Sequence, residues 1–463
     1  MTEARSKRAV LAALRANPDF SGLRNLPAAD TRKGQRLLLW LDRSGLALSL
    51  CYQLQKRNAE EQVRPEWLRE LRERCIRNGE RTQDLATEAR RIHSAFQSWG
   101  VTAATLKGFT LCPDFCDQPD FRHQVDFDYL VAATSVRRAA DALRSCGYDS
   151  PEINECGETC LRTRLQHVPT MRDDLYEVQR QRQVDLHISI WEDCAWLPIE
   201  PPQDCLAHAV PQRVIGVEQL SLSLEDKFLT QILHVFRHGF RSWVRLSWIL
   251  EIANCIERHR NDAALWDRVI TRAGPAGLMR LSFAFVLGLT SELFETQVPE
   301  GLRVWSEEAL TVPMRAWLND FGVDWAMADW PGSLNNLLLA AEFIPERKLR
   351  RQYWRSRLLP KKYHASLGAL DSAKPQQVLR WQVARFTYLR HRATVYLGGL
   401  MALAMQQYRW KRALRTCHKR ILAETGKSLK HKGGVSYGNY ASNGHGYDAP
   451  GQFAQSSESN RGD

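Results

Sequence analysis

The sequence predicts an α+β protein in which a small mixed β-sheet is flanked by helices, with the larger helical portion following the sheet. Three observations carry this reading. Apolar residues recur at helical spacing up to residue 99 and again from residue 224 onward. Between these stretches lie short β-branched and aromatic runs, bounded by glycine, proline and polar residues. The order strand, turn, helix, strand, helix, then a hairpin is that of a compact α/β unit.

In chain order, residues 1–84 form an N-terminal helical region. Thr31 to Gln55 is amphipathic, and Glu66 to Trp99 carries Leu68, Leu71, Ile76, Leu85, Ile92 and Phe96 among charges, with Gly100 as its stop. Residues 85–197 hold the α/β core. Val101 to Leu106 reads as a strand, Lys107-Gly108 as a tight turn, and Phe109 to Phe115 as a short helix. Gln124 to Val131 is a second strand, and Ser135 to Cys146 is a helix closed by Gly147. Leu165 to Met171 and Tyr176 to Trp191 read as strands around the turn 172–174. A proline-rich link with Pro198, Pro201, Pro202 and Pro211 opens the helical domain, 198–365. There Ser223 caps Leu224 to His238, and helices follow at 244–258, 263–273, 278–294, 307–318 and 333–343. A basic helical segment, 366–425, precedes a tail at 426–463 rich in Gly, Ser, Asn and Tyr, whose composition predicts disorder.

Composition narrows the class. Of 463 residues, 44% are apolar and 25% charged, which excludes a disordered or collagen-like chain and suits two or three domains. The net charge of +12 points to an anionic partner, whether nucleotide, nucleic acid or membrane surface, against the plainer reading of a basic surface with none. The 11 cysteines include no C-x-x-C pair, and Cys112/Cys116 and Cys156/Cys160 do not match zinc-ribbon spacing, so free thiols are expected. The start carries no apolar leader, and Val395 to Met405, broken by Gly398-Gly399, falls short of the ~20 residues that span a bilayer. A cytoplasmic protein is expected, with peripheral contact to the inner membrane as an option.

The chemistry concentrates in the central block. Asp126 and Asp128 are two apart, so on a strand both carboxylates share one face. Adjacent carboxylates repel unless a cation lies between them. Mg2+ accepts such hard oxygen ligands while keeping sites for phosphates. Two-metal phosphoryl transfer needs a further acid, and Asp185 can supply it from a neighbouring strand. Gly108 permits close backbone approach to a phosphate, Lys107 offers a point charge, and Arg122 a bidentate one. Taken singly, an Asp-x-Asp is more often a solvated strand edge and a Lys-Gly merely a turn. Their order along the chain raises the case.

Leu106-Lys107-Gly108-Phe109-Thr110-Leu111, Arg122, Asp126-Phe127-Asp128-Tyr129-Leu130-Val131 and Val184-Asp185-Leu186-His187 together resemble the bacterial uncharacterised nucleotidyltransferase family of the polymerase-β-like superfamily. Leu224-Glu225-Asp226 with His234, Phe343-Ile344-Pro345 and Leu349-Arg350-Arg351-Gln352-Tyr353 resemble its helical half, so the likeness spans roughly 85 to 360. The resemblance implies a nucleotidyltransferase core that transfers a nucleoside monophosphate from NTP to an acceptor: a small molecule, a glycan precursor or a protein. Asp126 and Asp128 would be Mg2+ ligands, Asp185 the third acid and metal ligand that also assists deprotonation of the acceptor hydroxyl, and Lys107, Gly108 and Arg122 would face the phosphates. The Lys-Gly-Phe turn departs from the Gly-Gly or Gly-Ser of the wider superfamily and matches the subgroup.

Two alternatives stand beside this one: a toxin-like transferase acting on tRNA, motivated by the basic charge, and a non-catalytic nucleotide-binding module on the same fold. His234 and His238, at i, i+4, read as packed histidines rather than a metal pair, and His187 as either a site neighbour or a strand residue. The 374–420 segment, basic and interleaved with aromatics, reads as a helix packed on the body, a contact for nucleic acid, or one for anionic lipid.

Overall fold

The computed structural model describes residues 2–150, 152–154, 157–163, 175–176, 178, 182–191, 196–241, 243–329 and 332–358, with scattered helical positions between 382 and 416. The strand expected at 165–171, its turn at 172–174, much of the basic 374–420 segment and the 426–463 tail lie outside these residues. The described helices and the sheet belong to one compact unit.

The N-terminal helices are α1 (Glu3–Ala13), α2 (Arg32–Ser44), α3 (Leu46–Lys56) and α4 (Pro65–Ser98). The run expected from Thr31 to Gln55 is split at Gly45, whose φ of 76° lies in the left-handed region that costs a side-chain-bearing residue. Thr31 caps α2 by accepting from the Gly34 N–H at 3.1 Å. Proline at the first position of α4 sacrifices no helical hydrogen bond. The first half of α4 buries Trp67 and Leu71 among the other helices. Its second half buries Leu85, Ala89, Ile92 and Phe96 beside the sheet.

The sheet has seven strands: β1 (Ala103–Thr105), β2 (Phe127–Val131), β3 (Tyr148–Asp149), β4 (Thr159–Thr163), β5 (Gln183–His187), β6 (Val210–Val214) and β7 (Val217–Ser221). Their spatial order is β3-β4-β5-β2-β1-β7-β6, with β2/β5 and β1/β7 parallel and the other pairs antiparallel. This confirms the mixed sheet. Strand alternation divides its residues between two cores. Phe127, Tyr129, Val131, Val184 and Leu186 pack with α4 and with α5 (Val136–Ser145). Leu130 belongs instead to the core shared with the helical portion, so Asp126 and Asp128, in phase with Leu130, turn towards that portion.

Two parts of the sheet depart from the sequence reading. The strand beside β5 is β4, upstream of the predicted hairpin. The proline-rich link contains the hairpin β6–β7, so the sheet extends past the boundary placed at residue 197. Pro211 disguised β6. It is tolerated because β6 is an edge strand, where a missing N–H costs no ladder bond on the open side. Ile215 (φ 43°) and Gly216 (φ 74°) make the two-residue turn that hairpin twist favours. Residues 109–115 form only a short 3-10 turn, Gly108–Leu111.

The second helical portion runs through α6 (Leu224–Arg241), α7 (Leu246–Arg258), α8 (Ala263–Ala273), α9 (Gly277–Phe294), α10 (Glu300–Glu307), α11 (Val312–Trp317), α12 (Val323–Ala326), α13 (Ala340–Phe343) and α14 (Arg347–Leu358). Ser223 caps α6 as expected, accepting from the Asp226 N–H at 3.3 Å. The helix expected at 307–318 breaks around Thr311-Val312-Pro313, where Thr311 starts a new one by accepting from the Met314 N–H at 3.3 Å. Among the described residues α9 alone is long and apolar enough to cross a membrane. Its Phe283, Phe285, Leu287, Leu289 and Leu293 are buried in the helical core. This portion is stapled to the loop after β1: Lys227 Nζ donates to the Thr110 carbonyl at 3.1 Å, and Asn254 Nδ2 to the Phe115 carbonyl at 3.1 Å.

Candidate metal centre

Asp128 and Asp185 are register partners on the parallel strands β2 and β5, and Asp126 lies two residues before Asp128 on the same face. The geometry expected from i, i+2 spacing is therefore present, although Asp126 sits one residue ahead of the strand proper. One carboxylate oxygen from each of Asp126, Asp128 and Asp185 lies within 4.8 Å of the others. Asp128 and Asp185 are buried, and Asp126 is half-buried.

Three acids in so small a space cannot all ionise freely. Burial, then the charge of Asp128, pushes Asp126 up to about 7. Burial, again followed by Asp128, raises Asp185 to about 6. Asp128 moves the other way. Burial opposes its ionisation, but Lys107 and His187 outweigh that and hold its carboxyl well below the usual range. Lys107 Nζ lies 3.2 Å from Asp128 Oδ1, and His187 Nε2 lies 3.1 Å from the same oxygen. One acid is thus held charged while its two neighbours are left short of counter-charge. That donor set, all carboxylate oxygen and under-neutralised, fits a hard divalent cation such as Mg2+.

The turn after β1 is fixed against these acids. Gly108 has φ 72°, and a Cβ there would stand 2.8 Å from the Gln124 amide. Gln124 in turn donates to the Asp126 carbonyl at 2.9 Å. Only glycine fits both demands, so the turn and the acidic strand are locked together. Gln183 Nε2 donates to both oxygens of Asp185, at 2.9 and 2.8 Å, and orients its carboxylate. Cys160, the register partner of Asp185 on β4, is raised to about 12 by burial and by Asp185.

The structure brings together Lys107, Gly108, Asp126, Asp128 and Asp185. Arg122 sits close enough to favour ionisation of Asp126. Its Nε, however, donates to Glu251 Oε1 on α7 at 2.9 Å, an ion pair with side chains only 11% and 7% exposed. Gln124, Gln183 and Glu251 were not singled out from the sequence. Two of them carry a readable signal: Gln124-Val125-Asp126-Phe127-Asp128 and Gln183-Val184-Asp185-Leu186-His187 are the same Gln-Val-Asp pattern on neighbouring strands. Glu251 gives none, because it lies 129 residues from Arg122. His187 is a site neighbour.

Helix α6 forms the facing wall, where Thr230, His234 and Arg237 line a narrow crevice with Lys107 and His187. The rings of His234 and His238 are 4.5 Å apart and pack on Trp248, at 4.4 and 4.7 Å. Burial, then Lys107, keeps His234 far below its usual range and so neutral.

No curated protein and no solved structure matches the chain. The family match begins well before the resemblance read from residue 85 and stops before 360. The sequence model of the uncharacterised nucleotidyltransferases matches residues 30–295, more than half of the 463, and the chain belongs to that family.

Proposed function

We propose that the protein transfers a nucleoside monophosphate from an NTP to an acceptor hydroxyl on a small molecule, glycan precursor or protein, using Mg2+. The observation that carries this reading is the convergence of Asp126, Asp128 and Asp185 within 4.8 Å on one sheet face, beside a Lys-Gly turn. Asp126, Asp128 and Asp185 would hold the metal. When bound, it would neutralise the phosphates and lower the pKa of an acceptor hydroxyl.

The chain's own groups account for the rest. Lys107, already a counter-ion at Asp128, is placed to share its charge with a phosphate. The Gly108 turn lets backbone approach that phosphate without a side chain intervening. Arg122, braced by Glu251, adds fixed positive charge on the side of Asp126. Asp185, oriented by Gln183, has a carboxylate poised near neutrality, which suits a base that accepts the acceptor's proton. A cytoplasmic location is proposed with this reading, since NTP is supplied there.

The experiment is incubation of the protein with each labelled NTP, Mg2+ and cell extract, with pyrophosphate release and label transfer as readouts. Transfer lost on Asp126→Asn supports the proposal. Equal transfer by Asp126→Asn and the unaltered protein would overturn it.

A further inference from the structure

A second cavity, of about 370 Å3, opens among α3, α7 and the 116–121 loop and contains none of the three acids. That volume lies within the range of small-molecule sites. Its mouth is cationic: Arg15, Lys56, Arg57 and Arg258 outnumber Asp117 and Glu257. Asp117 is already committed, accepting from Tyr52, from Arg258 and from Lys56 at 2.7 Å. This leaves the exposed Arg57, which has no ion pair among the described residues, as uncompensated charge at the rim. The wall is aromatic, with the rings of Tyr52 and Phe121 at 4.6 Å. Ser49, Gln53, Asn254 and Thr296 add neutral hydrogen-bonding groups to the lining.

Cations at the rim, ring faces at the side and neutral polar groups in the lining describe a ligand with an anionic end and a hydroxyl-bearing body. We propose that this cavity binds a small phosphorylated polyol of the sugar-phosphate class. Arg57 and Lys56 take the phosphate, the Tyr52–Phe121 wall takes a C–H face of the body, and its hydroxyls meet the polar side chains of Ser49, Gln53 and Thr296. A bare anion would use only the rim, and a neutral sugar only the wall and the polar groups. The cavity shares elements with the surroundings of the metal centre: the same loop continues into Arg122, and the same helix carries Glu251.

Calorimetric titration of the full chain, free of divalent metal, with glucose 1-phosphate, ribose 5-phosphate, inorganic phosphate and glucose tests this. A sugar phosphate should bind saturably and about tenfold or more tighter than either inorganic phosphate or glucose. Arg57→Glu, at an exposed position, should weaken that binding about tenfold with the thermal midpoint unchanged. Ser49→Phe, which fills the cavity from another side, should abolish it, and Asp126→Asn should leave it intact even if nucleotidyl transfer is never observed. The proposal fails if neither sugar phosphate binds at millimolar concentration, or if inorganic phosphate binds as well. It fails equally if Arg57→Glu binds like the unaltered protein, or if Asp126→Asn removes binding, since the ligand would then occupy the metal centre.

Discussion

Lys107→Met removes the ammonium group that faces the three acids while keeping much of the side chain's length. With Nζ 3.2 Å from Asp128 Oδ1, the direct attraction is about 5 kcal/mol at an effective dielectric constant of about 20. Not all of this is lost. The variant no longer desolvates an ammonium group, and the His187 ring, 3.1 Å from the same oxygen, stays in contact with the carboxylate. A net loss of about 2–3 kcal/mol remains for the metal-free protein at about pH 8, a fall of several degrees in Tm. Two further signatures separate this from ordinary loss of packing. At about pH 5 the acids protonate in place of the missing cation, so the deficit should shrink. Saturating Mg2+ should also shrink it, and the variant should bind divalent metal more tightly than the unaltered protein, because a competing cation is gone. Scanning calorimetry in chelator at the two pH values, repeated with Mg2+, measures all three. An unchanged Tm in chelator at pH 8, or a deficit indifferent to both pH and Mg2+, would refute the electrostatic account.

The remaining predictions use the same site. The folded-state pKa of Asp126 is raised, so its contribution to stability is full below about pH 4 and is lost as pH rises through about 7. Asp126→Asn should therefore raise the metal-free Tm at about pH 8, raise it much less at about pH 5, and remove stabilisation by Mg2+; calorimetry across that range checks it. Gly108→Ala imposes a left-handed φ on alanine, about 1 kcal/mol, and drives a Cβ into Gln124, endangering a hydrogen bond worth about 1 kcal/mol more. A loss of about 2 kcal/mol and weaker NTP binding are expected, by calorimetry and nucleotide titration. Glu251→Ala leaves the Arg122 charge without its partner and should cost about 3 kcal/mol, read as a lower Tm.

Local periodicity made the site legible before its geometry was known. The i, i+2 spacing of Asp126 and Asp128 places both on one strand face, and Phe127, Tyr129 and Val131 on the other confirm the phase. The helices at 66–99, 224–238 and 263–273 were readable because their apolar stripes and caps are local too. Register is not local. The pairing of Asp128 with Asp185 depends on contacts between β2 and β5 across 57 residues, and no pattern within either strand states it. Hairpin β6–β7 was missed because Pro211 reads as a strand breaker until the strand is known to lie at an edge. The ion pair of Arg122 with Glu251 likewise needed the helical portion folded against the sheet. Gln124 and Gln183 are a different case. Both lie two residues before an aspartate and share its face, so strand periodicity alone could have placed them at the site.

The central claim is that Asp126, Asp128 and Asp185 form one divalent-cation centre that receives an NTP. Electron paramagnetic resonance titration with Mn2+, with and without nucleotide, tests it most directly. The unaltered protein should bind Mn2+ saturably and more tightly when NTP is present, with Mg2+ as a competitor, while Asp126→Asn and Asp185→Asn should each lose that binding while remaining folded. Mn2+ binding of equal strength in the unaltered protein and both variants would contradict the claim.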